Sequence, residues 1–264
     1  MTVQSGRFDD LLTRVVSAAV LVAIFLIGIW IGGSVFLALV AVVVGLMVWE
    51  LARMLSPDSA RLAVALGVSA AIAVVLARLL PAGPGLPVLA LPALLGFVSF
   101  RENRRLFALY TALISLAGLG LHILRADFGL VWMVWLAAIV VATDVLGYFA
   151  GRLIGGPKFW PRVSPKKTWS GTVAGWIGAG VVALLFAAYT DAVFEMIAIS
   201  IILSLASQMG DLGESAIKRK AGVKDSSALI PGHGGLLDRF DGMLGASVAL
   251  LVIEQIVSFP PVAM

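Results

Sequence analysis

The stretch "LVWMVWLAAIVVATDVLGYFA" (residues 130–150) holds one charged side chain, Asp144, in 21 positions. A helix of about 20 apolar residues spans the hydrocarbon core of a bilayer. Eight further runs of this kind precede or follow it: Val15–Ile31, Val35–Trp49, Leu62–Leu80, Pro84–Phe100, Leu106–Leu124, Thr172–Tyr189, Ala192–Met209 and Met243–Phe259. Hydrophobic residues make up 61% of the 264 and charged ones 13%, and the mean hydropathy is +1.05. These values lie outside the soluble globular range. The reading is an all-α, polytopic integral membrane protein of about nine transmembrane helices.

The links Gly32–Gly33–Ser34 and Thr190–Asp191 are short, as between antiparallel neighbours, and Pro84, Pro87 and Pro92 should bend the fourth helix. The first run lacks a small-residue cleavage site and is soon followed by another, so it reads as a span and not as a signal peptide. With nine spans, only Arg78 and Arg125 of the 19 basic residues fall on the side opposite the N-terminus. The positive-inside rule then places the N-terminus and the basic loops in the cytoplasm, with the protein in the inner (plasma) membrane. That face, not the net charge of +4 alone, should attract anionic headgroups and phosphorylated substrates. Nucleic acid is not an expected partner. We divide the chain into N-terminal transmembrane helices, 1–105, and a C-terminal half, 106–264, carrying cytoplasmic loops at 151–171 and 210–242.

Two polar stretches stand out. "TDVLGYFAGRLIGGPKFWPRVSPKKTWSG" (143–171) starts inside the sixth span, and "QMGDLGESAIKRKAGVKDSSALIPGHGGLLDRFDG" (208–242) joins the eighth span to the ninth. The eighth helix should continue past the membrane surface, which puts Asp211, Glu214, Ser215 and Lys218 on one face at i, i+3, i+4 and i+7. Gly222 offers a stop. Pro231–Gly235 cannot be regular helix, and its free backbone N–H groups could form an anion-binding concavity. From Leu236 a helix restarts, with Asp238 and Asp241 on one face beside Arg239. Ser164–Pro165 reads as a helix start that would aim N–H groups at an anion near Lys166 and Lys167.

Magnesium is usually bound by one or two carboxylates with phosphate oxygens and water. Phosphate transfer also calls for cations around the non-bridging oxygens. Asp211, Glu214, Asp238 and Asp241 supply the first, and Lys166, Lys167, Lys218, Arg219, Lys224 and Arg239 the second. Cysteine is absent and only His122 and His233 are present, which argues against zinc. No nucleophile elbow precedes His233, which argues against a Ser–His–Asp set. Asp144 lies inside a span, where an ionisable group is functional by default, pairing with Arg152 being the plainer reading. Asp225 beside Ser226 is a candidate cap, Glu195 and Glu254 read as structural, and Trp132 and Trp135 as either interfacial or packed.

The run Ser215-x-Ile217-Lys218-Arg219, then Lys224-Asp225, then Pro231-x-His233-Gly234-Gly235-Leu236-x-Asp238-Arg239-Phe240-Asp241 resembles the signature of the phosphatidate cytidylyltransferase family. Asp144-x-x-Gly147-Tyr148-Phe149-x-Gly151-Arg152 with Ser164-Pro165-Lys166-Lys167-Thr168-Trp169 is similar to the family's other marked region. Together they span about the C-terminal half. Ser170–Gly171 stands where the family commonly has Glu–Gly, and no acid role is assigned there. The resemblance implies that CTP and phosphatidate give CDP-diacylglycerol and pyrophosphate, with magnesium required and potassium as a companion ion. It implies a homodimer in the bilayer and the aspartates matching Asp211 and Asp238 as metal ligands.

On this reading Asp211, Asp238, Lys218 and Arg239 are catalytic, and Asp211, Asp238 and Asp241 bind metal. Asp144, Lys166, Lys167, Ser215, Arg219, Lys224, Asp225, His233, Gly234 and Gly235 contact substrate. Two other classes compete. A transporter would carry polar groups at the midplane of several helices and repeated halves, neither of which is evident. A CTP-dependent lipid kinase would release CDP instead of pyrophosphate. The CDP-alcohol phosphotransferase pattern is absent from the sequence.

Overall fold

A computed structural model describes residues 5–189, 192–257, 259 and 260, with side chains at 13–81, 84–189, 192–257, 259 and 260. The Thr190–Asp191 link and the side chain of Arg7 lie outside the described residues. Among the described residues nine α-helices follow one another: α1 (Ser5–Ile31), α2 (Gly33–Leu55), α3 (Ala60–Leu79), α4 (Ala82–Ser99), α5 (Arg104–Ile123), α6 (Leu130–Leu153), α7 (Trp169–Phe186), α8 (Val193–Lys220) and α9 (Leu237–Val257). Between α6 and α7 lies a small antiparallel hairpin, β1 (Lys158–Trp160) and β2 (Ser164–Thr168), with Lys158 opposite Thr168 and Trp160 opposite Ser164.

Each apolar run becomes a helix because, without water, backbone polar groups must be satisfied inside the segment. Among the described residues, eight helices are long and apolar enough to cross a membrane; α4 has a shorter apolar stretch, Pro84–Ser99, and contains Pro87 and Pro92. Apolar side chains such as Trp30, Val98 and Leu153 are exposed on the helices, as suits a surface that faces lipid tails. The chain divides into two compact units. One comprises Met1–Ser115 with Ala221–Arg239, the other Leu116–Lys220 with Phe240–Met264.

Within the first unit α2 packs on α3, where a Cβ on Gly67 would lie 2.6 Å from the Gly45 carbonyl oxygen. Within the second, α6 and α7 meet as closely, a Cβ on Gly171 falling 2.5 Å from the Gly147 oxygen. Small residues let backbones approach where burying apolar surface gives no drive to associate. Polar pairs cross-link the second unit. Thr143 Oγ1 donates to Ser204 Oγ at 2.7 Å, and Trp135 Nε1 to Ser200 Oγ at 3.2 Å. Trp132 and Trp135 are buried with ring centroids 5.6 Å apart, so they are packing residues and not an interfacial belt.

Helix α8 runs on to Lys220 and the chain turns at Gly222 with φ +72°, as its sequence predicts. One expectation fails. Ser164–Pro165 begins strand β2, not a helix. A residue before proline is driven into extended backbone, which suits a helix N-cap and a strand alike; here Ser164 pairs with Trp160 and Thr168 with Lys158, and the strand is taken. The helix starts at Trp169 instead, capped by Thr168 Oγ1, which accepts from Gly171 N at 3.2 Å.

Candidate functional site

The second unit contains a cleft of about 600 Å³. Asp144, Tyr148 and Arg152 line it from α6, Lys166 and Lys167 from β2, Thr172 from α7, and Gln208 and Asp211 from α8. The hairpin carries the lysines there because β2 lies directly before the α7 N-terminus. Extended backbone at Pro165–Thr168 sends successive side chains to opposite faces, leaving Lys166 exposed and Lys167 half-buried.

Lys167 Nζ lies 2.5 Å from Asp211 Oδ2 and 3.5 Å from the Gln208 carbonyl oxygen. Ser215 Oγ donates to Asp211 Oδ1 at 3.2 Å, one turn further along α8. Asp211 therefore sits between an ammonium and a hydroxyl. Gln208 is tied twice to α7, donating to Thr172 O at 3.1 Å and accepting from Trp176 Nε1 at 3.1 Å. Asp241 is half-buried and accepts from Gly242 N at 2.7 Å; its electrostatic neighbours are Asp211, Asp144 and Lys218. Lys218 pairs with Glu214, which is fully buried. Arg152 Nη1 donates to the Tyr148 hydroxyl at 2.6 Å, and both side chains are exposed at the cleft.

The remaining sequence-selected residues, Arg219 apart, belong to the first unit. There the segment between α8 and α9 is a turn in which Ile230 bridges Gly234. Asp238 is half-buried in the first turn of α9, and its Oδ2 accepts from Ser226 N, Ser226 Oγ and Gly235 N, each at 2.8 Å. The N–H groups of Leu236 and Leu237 donate to Glu50 at 2.9 and 2.7 Å. The concavity read from the glycines is thus filled at Gly235–Leu237 by the protein's own carboxylates. Arg239 grips the same turn, its Nε and Nη2 donating to the His233 carbonyl at 3.1 and 2.8 Å. Ser17 Oγ lies 3.0 Å from His233 Nδ1 and 2.9 Å from Pro231 O. Lys224 and Asp225 are exposed, and Asp225 caps no helix.

The sequence-selected residues therefore fall into two groups. Asp144, Lys166, Lys167, Asp211, Ser215, Lys218, Arg219 and Asp241 share the second unit; Lys224, Asp225, His233, Gly234, Gly235, Asp238 and Arg239 share the first. Among the described residues, no group of three or more His, Asp or Glu side chains could hold a metal ion. Two residues escaped the sequence reading. Gln208 continues a buried polar row with Ser200 and Ser204 at four-residue spacing on α8. Glu50 stands directly after the second apolar run, an acid within a helix otherwise fit to cross the bilayer.

A model of the cytidylyltransferase family matches residues 12–257. A phosphatidate cytidylyltransferase of Brucella abortus is 36% identical over 262 residues, which cover 96% of this chain and 97% of that protein. Proteins of the same name from Staphylococcus saprophyticus and Helicobacter pylori are 44% identical over 128 residues and 41% over 126. The first of these alignments covers 47% of this chain and 46% of the relative, the second 47% of each.

Proposed function

Since this chain belongs to the cytidylyltransferase family, we propose that it makes CDP-diacylglycerol and pyrophosphate from CTP and phosphatidate. The observation that carries the reading is the cleft in which Lys166 and Lys167 stand beside Asp144 and Asp211 at the ends of apolar helices. Moving a lipid out of the bilayer costs about 0.8 kcal/mol per exposed CH₂, and a triphosphate cannot enter hydrocarbon. The two substrates meet only at the headgroup plane.

In this reaction an oxygen of the phosphatidate phosphate forms a bond to the α-phosphorus of CTP, and the bond from that phosphorus to the β-phosphate oxygen breaks. Pyrophosphate leaves with the electron pair. The lipid phosphate is itself the nucleophile, so the protein needs no covalent intermediate. What it must do is bring two anions together in line. Lys166 and Lys167 neutralise phosphate oxygens, and Arg152, steadied by Tyr148, adds a third cation to the cleft. Ser215 keeps Asp211 oriented. In the segment before α9, Lys224, His233, Gly234 and Arg239 bind CTP, with Asp238 holding their turn.

Asp211 and Asp241 would hold magnesium as a pair of carboxylates. Their mutual electrostatic reach supports this, and so does the habit of magnesium of taking one or two carboxylates and completing its shell with phosphate and water. When bound, the ion supplies neutralisation of phosphate charge. The distribution of Lys and Arg supports a cytoplasmic face for the cleft in the plasma membrane, and we propose a homodimer, read by cross-linking in native membranes.

The test is an assay with labelled CTP and defined phosphatidate in mixed micelles, with and without EDTA. CDP-diacylglycerol and pyrophosphate should form together and stop on chelation. Recovery of free CDP with a phosphorylated lipid would identify a lipid kinase and overturn the reading.

A further inference from the structure

Glu50 lies on α2, far in sequence from both polar stretches, and its side chain is wholly buried. Its carboxylate accepts four hydrogen bonds, all from the segment between α8 and the start of α9. Ser227 Oγ and Leu236 N reach Oε1 at 2.6 and 2.9 Å; Leu237 N and Ser226 Oγ reach Oε2 at 2.7 and 3.3 Å. A buried carboxylate without donors is strongly unfavourable, and the first N–H groups of a helix lack intrahelical partners. Each need meets the other here. Ser226 Oγ also lies 2.8 Å from Asp238 Oδ2, so one hydroxyl stands between the two acids.

A second observation is independent of these bonds. A Cβ on Gly235 would fall 2.0 Å from Ser226 Oγ and 2.4 Å from Glu50 Oε1. The absence of a side chain at 235 is what leaves room for the carboxylate. Gly235 of the signature and the hydroxyl of Ser226 are therefore shaped around a residue in the other half of the chain.

We infer that Glu50 is a positioning residue for CTP binding, its carboxylate fixing the backbone path from Ser226 to Leu237 and thereby the placement of His233, Asp238 and Arg239. This rests on the functional reading above. Glu50 touches no substrate; it acts through the turn.

The test compares Glu50→Gln and Gly235→Ala with the wild-type protein in detergent. Glu50→Gln keeps the volume but turns an NH₂ toward N–H and O–H donors. We expect the KM for CTP to rise about tenfold while the KM for phosphatidate stays within about twofold. A merely structural role would lower the folded fraction, hence the apparent kcat, and leave both KM values alone. Gly235→Ala should give the same split. The double variant should be no worse than the stronger single one, as for two changes at one contact. Amide exchange across 226–237 should quicken in each. A folded Glu50→Gln with an unchanged KM for CTP would overturn the inference, as would fully additive effects. If Glu50→Gln does not fold, Ser227→Ala and Gly235→Ala decide it: an unchanged KM for CTP in both sinks the idea. Absence of cytidylyl transfer by the wild type would defeat the functional reading, while the exchange rates would still show whether Glu50 holds the turn.

Discussion

The Lys167 ammonium lies 2.5 Å from the Asp211 carboxylate, joining the hairpin to α8 across the cleft. Both side chains are partly exposed, at 25% and 31%. An ion pair so open to solvent contributes little stability, about 0–1 kcal/mol. Its worth is chemical, in keeping a cation and an anion where charged substrates arrive.

Lys167→Met should therefore leave the fold intact and remove a phosphate ligand. Cytidylyl transfer is expected to fall on the order of 100-fold, in line with the loss of one preorganised electrostatic contact. Pyrophosphate release measures this, with the thermal midpoint in detergent as the control. Lys167→Arg should recover part of the activity, because the positive charge is kept.

Asp211→Asn preserves the acceptor for Ser215 Oγ but removes the charge facing Lys167 and Asp241. Turnover should drop by roughly 100-fold or more at limiting magnesium, with only partial recovery at high magnesium. Near-normal transfer under limiting magnesium would refute the metal role of Asp211. Asp238→Asn is expected to differ in kind. The acceptor of three loop hydrogen bonds is weakened, so amide exchange in that segment should quicken as well.

Gly171→Ala would press a methyl against the Gly147 carbonyl, 2.5 Å from the ideal Cβ. Overpacking of this kind costs about 1–3 kcal/mol. A lowered thermal midpoint is the expected outcome, accompanied by altered kinetics because both glycines flank the cleft. Gly180→Ala, where a Cβ meets nothing within 4 Å, is the matched control and should leave the midpoint unmoved.

Thr143→Val removes the buried hydrogen bond to Ser204 Oγ at nearly constant volume. Interhelical bonds of this type in bilayers contribute on average about 0.6 kcal/mol. A small shift in an unfolding titration is expected, and a large one would show that the Thr143–Ser204 contact also shapes the cleft beside it.

Much of this molecule is legible in its sequence because the bilayer imposes a length on apolar segments. Val193–Lys220 could be read as a span with a polar extension because its charges begin only past Met209, apart from Glu195. The turn around Pro231–Gly235 was legible for a related reason, since glycine and proline punctuate it. Extended backbone at Ser164–Thr168 was missed because a Ser–Pro pair was weighed as a helix opener; extended backbone before proline serves a cap and a strand alike, and only the pairing with Lys158–Trp160 decides for the strand. The function of Glu50 left no local trace. Its partners lie 176 to 187 positions away, and no periodicity or spacing rule reaches that far. Likewise the allegiance of Ala221–Arg239 to the unit containing Met1–Ser115 depends on tertiary contacts, not on composition.

That long separation also orders events on the ribosome. Leu237 follows Glu50 by 187 positions, and translation at about 5–20 residues per second takes roughly 10–40 s to cover the distance. For that interval α2 is a nascent helix carrying an acid whose acceptor oxygens have no loop to receive. A buried carboxylate without donors is unfavourable, so the site around Glu50 is complete only once residues 226–237 have been made. Closure of the 226–237 segment onto Glu50 thus comes long after α2 is made.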